Sequence, residues 1–197
     1  RNVIGCALAG LSARELIDAS AVVRDFTALF LGNRDFTNLP RKFNVGITGC
    51  TEHCTHGETQ DLSLTPATFD ADGQDIAGFN IAVGGKMGSG GFRVASPLDV
   101  FVTADEAVDV CAVITLLFRD YGSRAVRTRA RLAFLIEEWG VQKFRQEVTR
   151  QLGRPLRPAG NDARTGNAAD HRGGTPQKQA GMNAVGMAIP VGRITGD

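Results

Sequence analysis

The residues best suited to chemistry cluster in the first third of the chain. Residues 46–60 read GITGCTEHCTHGETQ, which places Cys50, His53, Cys54 and His56 within seven residues. A C-x3-C pair on a loop can present two thiolates to one metal ion or cluster. Zinc takes four sulfur or nitrogen ligands, a number these residues can supply. Adjacent His53 and Cys54 converge poorly on one tetrahedral ion, so a free-thiol turn stays open beside the zinc reading. Cys6 is a third candidate ligand from a distant loop. Cys111 falls on the apolar face of a predicted helix and reads as a buried core thiol.

Just upstream, LPRKFN (residues 39–44) surrounds a strand start with Arg41, Lys42 and Asn44. On a strand, Lys42 and Asn44 point to the same face. A cation beside a neutral hydrogen-bonding group can hold a small anion; an ordinary solvated strand start is the alternative. Farther on, GGKMGSGG puts five glycines into residues 84–91. It lacks the Gly-Lys-Ser/Thr ending of a P-loop and is not a GxGxxG opening a helix. Its amides, beside Lys86 and Arg93, suit a polyanionic ligand, and a flexible turn is the plain alternative. Arg124, Arg127, Arg129 and Arg131 form a further cluster, either a solvated helix face or a surface for something acidic.

These groups need a scaffold, and the length allows one: 197 residues, 43% hydrophobic, with formal net charge +1. That balance gives no reason to expect nucleic acid as a partner. No apolar run approaches the roughly 20 residues of a membrane span. No basic-then-apolar secretory signal opens the chain. Four cysteines are too few for a disulfide framework at this length, so a reducing, cytoplasmic setting is expected. The chain opens on Arg1 and reads as an internal fragment.

The pattern predicts these elements in order. Ser12 to Glu15 has the form of a capping box, predicting a short helix to about Asp18. Residues 21–31 have helical spacing, closed by Gly32 and Asn33. Residues 43–48 alternate as a strand, so the cysteine pair lies on the loop after it. A short strand is expected around 62–64, others at 78–84 and 98–102. Helices are predicted over 103–121, 124–139 and 141–151. Residues 153–176 lack an apolar period and read as a linker, followed by a strand within 182–191. The fold class is α+β, a mixed β-sheet packed with helices.

Several stretches together resemble one family: RNVIGCALAGL, NLPRKFNVGITGC, QDLSLTPA, GFNIAVGGKMGSGG, PLDVFV, the long segment from LLFRDYG to RQEV, and QKQAGMNAVGMAIPVGR. In this order they are similar to the ferredoxin-dependent nitrite and sulfite reductases. That resemblance implies siroheme coupled to a [4Fe–4S] cluster, ferredoxin or a similar electron donor, and six-electron reduction of nitrite or sulfite. It implies two pseudo-symmetric halves. Residues 1–152 resemble the siroheme and iron–sulfur domain of the first half. Residues 177–197 resemble the start of a second, ferredoxin-like half-domain that continues in the remainder of the polypeptide. Lys42 and Asn44 match the anion-contacting pair. Lys-x-Asn is typical of the nitrite enzymes and Lys-x-Lys of the sulfite enzymes, so nitrite is favoured. Arg41 accompanies this pair, and Gly84, Gly85 and Lys86 match a loop against the siroheme carboxylates.

The cysteines depart from the family pattern. Its cluster ligands usually come from the second half, as C-x5-C and later C-x3-C. Here the C-x3-C of Cys50 and Cys54 lies in what resembles the first half. Cys6 aligns with the opening of C-x5-C, whose closing position holds Ser12. A remnant or auxiliary site is therefore expected, with the cluster ligands completed or supplied by the other half. Sulfite reduction, a precorrin-3B synthase-like activity, and a zinc-binding structural module are the alternatives.

Overall fold

The structure, a computed structural model, describes residues 2–88, 91–167 and 169–192. Ser89 and Gly90 of the glycine-rich loop, and residues 193–197 of the expected second half-domain, lie outside them. A central mixed sheet has the order β1 (Asn2–Gly5), β2 (Asn44–Ile47), β3 (Leu62–Ala71), β4 (Gln74–Val83), β5 (Ser96–Val102). The first three strands run parallel; β3, β4 and β5 are antiparallel neighbours. The crossover from β1 to β2 carries α1 (Ser20–Phe30), as a parallel connection requires. Helices α2 (Ala104–Tyr121), α3 (Leu132–Trp139) and α4 (Val141–Leu152) complete the layer. The α+β expectation holds.

The core lies between the helices and the sheet. Phe26 of α1, Phe43 and Ile47 beside and on β2, Leu62 and Leu64 of β3, Ile114 and Phe118 of α2, and Phe144 of α4 are all fully buried. The Phe43 and Phe118 rings stack at 5.6 Å, tying the start of β2 to the longest helix. Cys111 is buried in this core, and burial pushes its thiol well up, as expected for a core thiol.

Three local expectations are corrected. No helix follows Ser12. The Glu15 carboxylate instead accepts the Gly10 N–H at 3.0 Å and pairs with Lys178. The segment then pairs with the cysteine loop, with Leu16 N–H donating to the Gly49 carbonyl at 2.8 Å and Thr51 N–H to Arg14 at 3.0 Å. The short strand at 62–64 is a ten-residue strand, β3, joined to β4 by Asp72 and Gly73 at positive φ. The long helix over 124–139 is one 3₁₀ turn, Arg127–Arg129, and then α3. Arg131 is extended just before α3 and turns its side chain into the protein.

Described residues beyond Leu152 also bond to the domain. A short strand β6 (Asn161–Asp162) pairs with β3. A hairpin of β7 (Gly173–Pro176) and β8 (Asn183–Gly186) follows, the latter within the strand expected over 182–191. This hairpin bonds back to the first loop through Ala13 N–H to Pro176 and Lys178 N–H to Leu11.

Thr103 and Glu106 form the capping box of α2, as their spacing predicts. Glu106 also receives Arg154 at 3.2 Å and Arg157 at 2.5 Å, so one carboxylate caps α2 and anchors residues 154–157. Burial opposes its charge, but Arg157 and the Thr103 amide win and hold the carboxyl below its ordinary 4.5. A carboxyl lowered by folding stabilises above its unfolded pKa, and that contribution drains as pH falls through the folded value. Glu106→Gln is therefore expected to cost no more than about 1 kcal/mol at pH 7, since the group is partly solvent-screened. The gap in urea midpoint from the unmodified protein should close as pH falls below 4.5. A gap that stays constant through that range would refute the ionic role.

Candidate functional site

Two clusters flank β2. At its entrance, Arg41, Lys42, Met87, Arg127, Thr128 and Arg131 line a cavity of about 90 Å³. Asp61, just before β3, organises this end. Its Oδ1 accepts Nε of Arg131 at 2.8 Å, and Oδ2 accepts the other guanidinium arm at 2.6 Å. Oδ2 also accepts the Asn44 N–H at 2.8 Å. Both charged side chains are buried, Asp61 at 0% and Arg131 at 6% exposure. A bidentate, buried pair has fixed geometry, and here it fixes the first residue of β2 against the start of α3. Arg41, Lys42 and Arg127 make no side-chain hydrogen bond or ion pair among the described residues. The cavity therefore carries three cations without a direct ion-pair partner, although Lys42 also feels the Asp61 charge, and this suits an anion of small size or a carboxylate group.

The expected residues fare differently here. Arg41 and Lys42 line the cavity; the Asn44 side chain is not in its lining, although its backbone anchors the strand. Gly84 and Gly85 pack close. A Cβ on Gly84 would meet Ile136 at 3.2 Å, and one on Gly85 would come within 2.5 Å of the Glu58 and Gln60 carbonyls. Only glycine fits at Gly85, a packing reason that stands whether or not a ligand lies against the loop. Lys86 exchanges backbone hydrogen bonds with Arg93 at 2.9 Å, and its ammonium donates to the Gly91 carbonyl over the Phe134 ring. It is almost fully buried, and burial pulls the ammonium below the ordinary lysine value. Among the described residues of this loop, Met87 lines the cavity. Arg127 and Arg131 were visible only as part of an arginine run, and Asp61 carried no signal beyond being an acid before a strand.

At the other end of β2 the three cysteines meet. Cys6 follows β1, and Cys50 and Cys54 sit on the loop after β2. Their sulfurs and one ring nitrogen of His171 all lie within 4.8 Å of one another. Cys6 Sγ is 3.2 Å from His171 Nε2. The thiols hydrogen-bond one another. Hydrogen bonds from Cys50 and Cys6 pull Cys54 down to about 3, while bonding to its neighbours pushes Cys6 up. Cys50 is raised as well. Gly49 holds the approach: a Cβ there would fall 1.7 Å from the Ile17 carbonyl oxygen. His53 and His56 are not in this group. They face Glu58, His53 at 2.5 Å and His56 at 3.6 Å. The zinc set drawn from Cys50, His53, Cys54 and His56 is thus corrected: the loop turns the two histidines away from the two thiols. Ser12 accepts the Arg14 N–H at 3.1 Å, and His171 is the fourth group beside the thiols. His171 sits in a polar run without periodicity, which is why spacing did not point to it.

The family described as "Nitrite and sulphite reductase 4Fe-4S domain" matches residues 1–156. The chain belongs to that family. As a nitrite and sulphite reductase domain, it is 44% identical over 200 residues to "Ferredoxin--nitrite reductase" of Synechococcus elongatus, covering 99% of this chain and 38% of that protein. It is 38% identical to "Assimilatory ferredoxin-dependent nitrite reductase" of Haloferax mediterranei, covering 99% of the chain and 35% of the relative. Among solved structures, "Structure of Mycobacterium tuberculosis NirA protein" superposes with a TM-score of 0.84 at 33% identity, over 93% of this chain and 32% of that one. The reductase domain thus spans between a third and two fifths of the curated relatives' length. No helix among the described residues is long and apolar enough to cross a membrane.

The family's cluster can be tested against the thiols of this domain. A four-iron cube binds one thiolate at each of four irons, so its ligands stand apart across the whole cube. Here three sulfurs and an imidazole converge within 4.8 Å. The arrangement does not fit the cube. The cationic cavity does fit acid groups, since its unpaired donors are an ammonium and two guanidinium forks.

Proposed function

We propose that this domain is the first half of an assimilatory ferredoxin-dependent nitrite reductase, which reduces nitrite to ammonia with six electrons. The observation that carries this reading is the cavity at the start of β2 lined by Arg41, Lys42 and Arg127, none of them in a direct ion pair among the described residues, combined with the ferredoxin–nitrite reductase names of its relatives. Residues 1–152 form the reductase unit, 153–176 the connection, and 177–197 the start of the ferredoxin-like half. Siroheme, when bound, would pass the donor's electrons to nitrite, and its [4Fe–4S] partner would take its ligands from the rest of the polypeptide.

The chain's own residues bind, orient and protonate. Arg41 and Arg127 attract the anion or hold siroheme carboxylates, and Gly84, Gly85 and Lys86 border that surface. Lys42 holds a proton at Nζ that nitrite needs when an N–O bond breaks and water leaves. Asn44 keeps the second position neutral. Sulfite carries more charge than nitrite and gains more from a second lysine there. The electron donor is ferredoxin or a protein like it, in a cytoplasmic setting.

The complete polypeptide containing this domain, reduced by ferredoxin, should convert nitrite to ammonia and show a siroheme absorption spectrum. Asn44→Lys should raise the ratio of sulfite to nitrite turnover. A complete protein that prefers sulfite before that change, or that reduces neither anion, overturns the reading.

A further inference from the structure

Three thiols and an imidazole converge at the end of β2 without matching the family's cluster. We propose that Cys6, Cys50, Cys54 and His171 bind one zinc ion in a closed structural site, separate from any iron–sulfur centre.

The spacing decides the nuclearity. Around tetrahedral zinc, sulfurs at about 2.3 Å from the metal stand about 3.8 Å from each other. All four ligand atoms here lie within 4.8 Å of one another, so a small closure brings them onto one ion. The donor set decides the metal class. Three thiolates with one neutral imidazole suit zinc, and hard cations such as magnesium or calcium prefer oxygen. Four protein ligands leave no open position, which is the mark of a structural site.

The surroundings supply what such a site needs. Leu8 N–H donates to Cys6 Sγ at 3.4 Å, and the Thr48 hydroxyl lies 3.6 Å from Cys54 Sγ. The Thr48 hydroxyl also accepts the Cys50 N–H at 3.1 Å, fixing the turn that carries the second thiol. His171 directs Nε2 at Cys6, and its Nδ1 faces the Glu52 carboxylate at 3.6 Å. A carboxylate placed behind a ligating histidine helps orient its ring. Arg14 pairs with Glu52 in turn. The His171 side chain is only 7% exposed and Cys50 1%, while Cys54 is half-buried. The second candidate cluster, His53, His56 and Glu58, is more open and lacks a thiol.

The ion would join three separated pieces of chain: the turn after β1, the loop after β2, and the segment entering β7. His171 lies beyond the family match, which ends at residue 156. The backbone already crowds there, since a Cβ on Gly186 would come 1.7 Å from the His171 carbonyl oxygen.

The test is metal content and X-ray absorption at the zinc edge, on protein grown with both zinc and iron supplied. About one zinc per chain is expected, with three sulfur scatterers near 2.3 Å and one nitrogen at about 2.0–2.1 Å. Cys54→Ser and His171→Ala should each lose most of the zinc. His171→Cys should keep it with four sulfurs, which separates ligand loss from misfolding. Iron with acid-labile sulfide that disappears in Cys50→Ser would overturn the proposal. So would a folded protein with no zinc, or zinc that survives in Cys50→Ser. None of these outcomes depends on nitrite turnover, so the two readings fail separately.

Discussion

Asp61→Ala should lower the stability of this domain by about 3–5 kcal/mol, measured by urea unfolding at neutral pH. The reason is what the change leaves behind. Arg131 would keep its charge inside the protein with neither of its two carboxylate bonds. An unpaired buried charge is far more costly than a lost surface contact. The Asn44 amide would lose its acceptor as well. Removing both partners is a different experiment: Asp61→Leu with Arg131→Met should recover most of the loss, because a buried pair and an apolar pair of similar volume are close in free energy. The double variant should still perturb the anion cavity, since Arg131 lines it and Asp61 anchors Asn44, two residues after Lys42. A single variant that loses under about 1 kcal/mol would mean the pair is a surface-like contact.

Lys42→Ala should leave stability within about 0.5 kcal/mol, because Lys42 is exposed and holds no partner side chain. In the complete reductase it should reduce nitrite turnover by roughly 10²–10³-fold, the range seen when one electrostatic donor is removed from a reacting centre. A charge that only gathers substrate would raise KM and spare kcat; a proton or charge delivered as the N–O bond breaks lowers kcat. Lys42→Arg distinguishes the cases further, since arginine keeps the charge but cannot give up a proton near neutral pH. Wild-type turnover in Lys42→Ala, with the siroheme spectrum intact, sinks the role given to this residue.

The elements that sequence reveals well here are those with one wet face. Helices α1, α2 and α4 were legible from apolar spacing and their end signals, and β2 from its alternation. β3 was mostly hidden because its first six residues are buried on both faces, which erases the two-residue alternation. Pro66 blurred it further; it lies between the stretch paired with β2 and the stretch paired with β6. The Asp72–Gly73 turn was the readable signal and it went unused. The false helix at 124–131 shows the opposite failure. Arginine is a good helix former, but Arg131 is committed to Asp61 seventy residues away. No local rule reports such a partner. The same holds at the thiols: C-x3-C announced two of the group and Cys6 was a third candidate, but the fold alone brought His171 to join them.

Cys6 and His171 are separated by 165 positions, and a ribosome builds the chain in that order. At about 5–20 residues per second, roughly 8 to 33 s pass between the appearance of the first thiol and that of the imidazole. Cys50 and Cys54 arrive early in that interval, so for most of it three sulfurs are available and the fourth position is open. The nascent chain is then at its most vulnerable to oxidation and to capture of the wrong metal. Arrival of His171 supplies the fourth donor, so the proposed zinc site is complete only once the segment entering β7 has been made.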